Sequence, residues 1–171
     1  MIYPIVKYGQ PVLEQKGAEV DDFDSAALHK LIEDMFESMY AAKGVGLAAP
    51  QIGVGKRLAV IDISSGEDPA QKLVLINPVI VKTEGSQKSE EGCLSLPTFR
   101  EQVTRPRLVV VKAQDVKGAT FEMTGEDLLA RAFLHETDHL SGKLYISYIS
   151  ALKRDLIRRK VRKLQKAGEW D

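Results

Sequence analysis

At 171 residues, 44% hydrophobic and 28% charged, the chain has the length and composition of a folded globular protein with one buried core, not of a disordered or low-complexity one. Its 24 basic residues balance 24 acidic ones, which argues against a chain devoted to nucleic acid. No apolar run approaches the ~20 residues that span a bilayer, and the opening MIYPIVKYGQ lacks the basic start and apolar stretch of a signal peptide.

Residues 25–43 carry the clearest helix. Leu28, Leu31, Ile32, Met35, Phe36, Met39 and Tyr40 form a continuous apolar stripe, Asp24 or Ser25 can cap its start, and Gly44 sits where a helix commonly ends. The next segment, GVGLAAPQIGVGK, is too rich in glycine and too broken by Pro50 to be regular structure. A strand is expected in RLAVIDI, followed by a polar loop. KLVLINPVIVKTEG reads as one or two extended segments around Asn77-Pro78, and RLVVVKAQDV with ATFEMTG as a hairpin turning near Lys117-Gly118. Helical patterning returns from Glu126 and stops at Gly142. A last helix runs from about residue 151 to 166, capped by Ser150, with Leu152, Leu156, Ile157, Val161 and Leu164 on one face. Helix, several strands, helix, helix, without regular alternation, predicts an α+β fold: largely antiparallel strands around a central helix, with an N-terminal helix and a C-terminal helix. No repeat or linker divides the chain, so a single domain over residues 1–171 is expected.

The penultimate helix carries the chemistry. His135, Glu136 and His139 spell H-E-x-x-H, which places two imidazoles on one helical face, with Glu136 a quarter turn away and within reach of a metal-bound water. Two solvated surface histidines would be the plain alternative. The motif lies in an apolar run, RAFLHETDHL, where unpaired imidazoles would be costly to bury. A catalytic site needs three protein ligands and an open position. The chain has only one further histidine, His29, on the polar side of the first helix, and LSGKLYISYIS after His139 offers neither histidine nor glutamate. Cys93, in SEEGCLSLP, is the obvious candidate for the third ligand, because a metal lowers a thiol's pKa and binds the thiolate; the plain alternative is a small buried hydrophobe. It is the only cysteine, so no intramolecular disulfide can form, and a reducing compartment is expected.

Three segments together, G-V-G-L-A-A-P-Q (44–51), E-G-C-L-S (91–95) and H-E-T-D-H-L (135–140), resemble the signature motifs of the peptide deformylases in order and spacing. The surrounding pattern is similar over nearly the whole chain. The resemblance implies that Cys93, His135 and His139 hold one divalent metal ion. Iron(II) would be the physiological ion, with zinc a stable but less active occupant and nickel or cobalt possible. It implies Glu136 as general base and then proton donor to the departing amine, and Gln51 with the backbone N–H of Leu94 as oxyanion donors. The reaction implied is removal of the formyl group from N-formylmethionyl nascent peptides, with release of formate, in the cytoplasm.

Further roles follow by match to the family. Val45, Gly46 and Gly92 would contact the substrate backbone, and Val45, Leu94 and Ala132 would shape the methionine pocket. Arg100 would lie near the downstream end of the substrate, against the alternative of a solvated surface arginine. Asp138 would pair with Arg105 to stiffen the metal helix, and Glu91 would brace the loop carrying Cys93. Leu134 stands where the family usually has glutamine, and Ser147 where it often has aspartate, which puts in doubt some hydrogen bonds around this helix. Residues 150–171 hold eight Lys/Arg against three Asp/Glu. That excess reads as a solvated face, and the family resemblance implies the alternative of a contact with ribosomal RNA. A monomer is expected. The rival readings are a zinc endopeptidase, which leaves Cys93 and Gln51 without roles, and a structural metal-binding protein, which needs a fourth protein ligand.

Overall fold

Strand β2 (Leu58–Ile61) explains the layering. All four of its residues are buried, because it is covered on both faces. The computed structural model describes residues 1–170. In it Leu58 and Val60 pack with helix α1 (Ala26–Ala41), while Ile61 packs with helix α2 (Leu128–Leu140) in a second cluster. Alternate side chains of a strand point to opposite faces, so a continuous apolar run such as LAVI suits a strand buried on both sides. Leu75 and Ile76 of β3 (Leu73–Glu84) divide between the same two clusters.

The main sheet has the order β1-β2-β3-β6-β7, with β1 (Gly46–Ala48), β6 (Leu108–Gln114) and β7 (Thr120–Glu126) completing it; β4 (Gln87–Cys93) pairs with β5 (Leu96–Arg105) in a separate hairpin. Every named pair is antiparallel, and the sole parallel contact among the described residues is an isolated bridge between Ala18 and Lys56. Helix α2 touches β1, β2, β3, β6 and β7 on one side. The expected α+β arrangement around a central helix is therefore present. Helix α3 (Ala151–Lys166) packs Ile157 and Val161 into a third cluster with Leu96 and Val103 of the hairpin.

Several expectations need correction. The glycine-rich segment is regular in part: Gly46–Ala48 forms a strand, and Ala49–Ile52 a 3-10 turn. Pro50 lies in the first turn, where its missing N–H costs nothing. Helix α1 does start with Ser25, whose hydroxyl accepts from Leu28 N at 3.1 Å, but the left-handed residue at its end is Lys43 (φ 59), not Gly44. Helix α2 starts at Leu128, since Glu126 is still hydrogen-bonded in β7 opposite Leu108. Of the one or two extended segments expected around Asn77-Pro78 there is one, the continuous strand β3, with a bulge at that pair. On α3 the expected apolar face is only half used, with Leu152 71% and Leu156 46% exposed.

The hairpin β4–β5 has no counterpart among the predicted strands. Two of its inward positions are the buried charged residues Glu91 and Arg105, so no apolar alternation marks it.

Candidate metal centre

Cys93 ends β4 and His135 and His139 project from α2, so the hairpin and the helix must meet for the three to converge. Their ligand atoms all lie within 4.8 Å of one another. Cys93 Sγ is 3.3 Å from His139 Nε2, and the two Nε2 atoms are 3.2 Å apart. Tetrahedral coordination with bonds of ~2.0–2.3 Å puts ligand atoms about 3.3–3.6 Å apart. The donor set thus fits a divalent ion with three protein ligands and one open position.

The ring of His135 is fixed by a carboxylate. Glu91 Oε2 lies 2.7 Å from His135 Nδ1. An ionised carboxylate only accepts, so Nδ1 carries a proton, and Nε2 faces the other two ligand atoms, where a metal ion can take the place of a second proton. Glu91 is in turn saturated: Arg105 donates to both of its oxygens (3.1 and 2.7 Å), and Arg131 Nη1 to Oε1 at 2.7 Å. Burial alone would raise the Glu91 carboxyl's pKa, but hydrogen bonds from His135 and Arg105 outweigh it and hold it well below the usual range. Arg105 also donates to Asp138 Oδ2 at 2.8 Å, so the expected Arg105–Asp138 pair is formed and shares its guanidinium with Glu91. Arg131 escaped the sequence reading. It lies one helical turn before His135, a spacing that could have flagged it, and also donates to Val103 O of β5 at 3.1 Å.

Glu136 is 4% exposed, and its Oε1 has no hydrogen-bond partner among the described residues. Burial pushes its carboxyl up to about 7. A carboxylate so placed gains a proton readily near neutral pH, as a group that first accepts and then returns a proton requires. Burial also lowers His139 well below the ordinary value, which keeps that imidazole neutral. Burial opposes protonation of His135 too, but Glu136, Cys93 and Glu91 outweigh it and raise the pKa. The anionic surroundings that would hold a proton there would equally hold a divalent cation.

Gln51 is held at both ends. Its Oε1 accepts from Ala48 N at 3.0 Å, which identifies the amide's nitrogen end; that Nε2 donates to Ser95 Oγ at 3.1 Å and lies 3.6 Å from Cys93 Sγ. One N–H therefore faces the metal-binding atoms.

A cavity of about 510 Å³ opens beside these groups. Val45, Gly46, Gly92, Leu94, Arg100 and Ala132, the residues expected to meet substrate, all line it. Two glycines there sit against side chains of very different freedom, Gly46 against the buried Glu136 and Gly92 against the exposed, movable tip of Arg100. A Cβ on Gly46 would come within 2.9 Å of Glu136 Cδ, and one on Gly92 within 2.8 Å of Arg100 Nη1. Arg100 crosses the hairpin to Glu90 with a 2.7 Å ion pair at the cavity mouth. His29 lies apart, exposed and bonded to Asp24.

Known proteins match along nearly the whole chain. The family model described as polypeptide deformylase matches residues 2–155. A peptide deformylase of Acidobacterium capsulatum is 61% identical over 170 residues, covering 99% of each chain. The crystal structure of a peptide deformylase from Legionella pneumophila superposes with a TM-score of 0.90 at 44% identity, covering 100% of this chain and 99% of that one. The peptide deformylase structure from Thermus thermophilus gives 0.87 at 42% identity, covering 95% of each.

Proposed function

The chain belongs to the peptide deformylase family, and from that premise we propose the residues by which it works. It is a hydrolase that removes the N-terminal formyl group from newly synthesised polypeptides, releasing formate. The observation that carries the residue assignment is the convergence of Cys93, His135 and His139 beside buried Glu136. These three hold one divalent ion, which when bound supplies the Lewis acidity that activates water and polarises the formyl carbonyl.

The chain's own groups do the rest. Glu136 accepts the proton of the attacking water and returns it to the departing methionine amine. Gln51 Nε2 and the Leu94 backbone N–H donate to the formyl oxygen as negative charge develops there. The outer edge of β1 from Gly46, with Val45 just before it and Gly92 opposite, takes the substrate backbone as an added strand. Val45, Leu94 and Ala132 bound the methionine side chain, and Arg100 meets the chain beyond it. Glu91, Arg105 and Asp138 hold the metal helix in place.

Iron(II) is the physiological ion in this reading; one thiolate with two imidazoles accommodates zinc, nickel and cobalt as well. The chain works as a single domain, residues 1–171, and as a monomer, since Cys93, His135, His139, Glu136 and Gln51 converge from one chain. It works in the cytoplasm, where a lone thiol ligand stays reduced. No helix among the described residues is long and apolar enough to cross a membrane. Helix α3 meets the ribosome: Lys153, Arg158, Arg159, Lys160, Arg162, Lys163 and Lys166 are all exposed. Ribosome binding should weaken with salt and with Lys160→Glu/Lys163→Glu; binding indifferent to both would refute the contact.

The decisive assay for the reaction offers a formyl-methionyl peptide to the metal-loaded protein. Formate and the free α-amine should appear in equal amounts. An endopeptidase would instead cut inside the peptide and release no formate.

A further inference from the structure

The two histidines of α2 are supported differently. His135 has Glu91 on its Nδ1, whereas the buried Nδ1 of His139 has no hydrogen-bond partner among the described residues. With no hydrogen bond among the described residues to fix the His139 ring from behind, its position depends on packing and on its own stretch of backbone. That stretch is the last turn of the helix, where carbonyls are left without intrahelical donors. Arg57 reaches it. Its Nη1 donates to Leu140 O, the residue after His139, at 3.0 Å, and its Nη2 to Pro78 O at 3.0 Å. Gly17 N adds a second donor to Leu140 O at 2.9 Å.

Arg57 is only 9% exposed and has no carboxylate partner among the described residues. Burying an unpaired guanidinium is unfavourable unless its donors are used and a compensating field is present. The negative end of the helix dipole provides such a field. The bulge at Asn77-Pro78 turns Pro78 O to the guanidinium, and Asn77 N donates to Arg57 O at 2.9 Å, so strand β3 anchors both ends of the residue.

Resting on the metal site proposed above, we infer that Arg57 is a positioning residue for His139: it pins the C-terminal turn of α2 to β3 and so sets the distance from His139 to Cys93. Arginine is suited because its fork spans two carbonyls at once; lysine would serve one.

The test loads the full chain with cobalt(II) and follows the ion's release to a chelator through the thiolate charge-transfer absorption. Arg57→Met is expected to release cobalt about tenfold faster or more, within the ~10–100-fold range of outer-shell partners, and to shift the ligand-field bands. Arg57→Lys should fall between Arg57→Met and wild type. Release and spectrum indistinguishable from wild type in both variants, even with a lowered Tm, would overturn the inference, because a purely stabilising role lowers Tm alone. If Arg57→Met does not fold, Arg57→Lys decides: faster release supports the role, and wild-type release overturns it. A wild-type cobalt spectrum that survives Cys93→Ser would instead overturn the metal site itself.

Discussion

Helices α2 and α3 follow one another closely, and both are amphipathic, but they are used in opposite ways. Helix α2 lies between the sheet and the β4–β5 hairpin, and its polar side chains Arg131, Glu136 and His139 are buried. Helix α3 buries only Ile157 and Val161 and leaves even Leu152 and Leu156 in solvent. The difference lies in what covers each helix, not in periodicity. Where a second layer closes over a helix, each polar residue needs a specific partner, and a site can form. Where solvent closes over it, charges remain interchangeable.

The contrast makes graded predictions. The largest effect on stability should come from Phe133→Ala on α2, whose ring is 0% exposed; it should lower unfolding free energy by about 3–5 kcal/mol, read by denaturant unfolding. An unfolding midpoint near wild type would mean that α2 is not packed as described.

The buried acid of α2 should appear next, in the pH dependence of the metal-free protein. Burial raises Glu136 from 4.5 to about 7, so between these values the folded chain holds a proton that the unfolded chain has lost. This contribution to stability is full below pH ~4.5 and lost as pH rises through ~7, a change of about 3 kcal/mol. Glu136→Gln should flatten that part of the profile, and an unchanged slope would place the carboxyl in water.

A smaller change tests the partners of α2. Arg105→Ala should weaken metal retention by ~10–100-fold, measured by competition with a chelator. Unchanged retention would mean that the Glu91–Arg105–Asp138 network does not support the ligands. The smallest effect belongs to α3: Leu152→Ala should shift stability by less than ~0.5 kcal/mol. A larger loss would show that something covers that face.

Legibility in the sequence follows the same division. Helix α3 was readable to its capping Ser150, which accepts from Lys153 N at 3.2 Å, because caps and periodicity are local. The stripe on α1 and the β6–β7 hairpin were readable for the same reason. The β4–β5 hairpin was not, because charged Glu91 and Arg105 occupy inward positions that apolar residues normally mark. Lys43 took the left-handed position expected to suit a glycine, since the positive φ falls one residue before Gly44. At the site, His135, Glu136, His139 and Cys93 could be picked out by residue type and spacing, and Gln51 by the resemblance of its motif to the family's. Arg131 and Arg57 could not. Each matters through partners distant in the chain, Glu91 and Val103 for one, Leu140 and Pro78 for the other, and such pairings exist only after folding.

In the proposed reaction Glu136 moves protons while Cys93, His135 and His139 hold the ion. Formate release and bound metal measured on one preparation of Glu136→Gln test it most directly. The expected result is one metal ion per chain, as in wild type, with formate release reduced by ~10²–10⁴-fold. Turnover near the wild-type rate in the metal-loaded variant would contradict that role for Glu136.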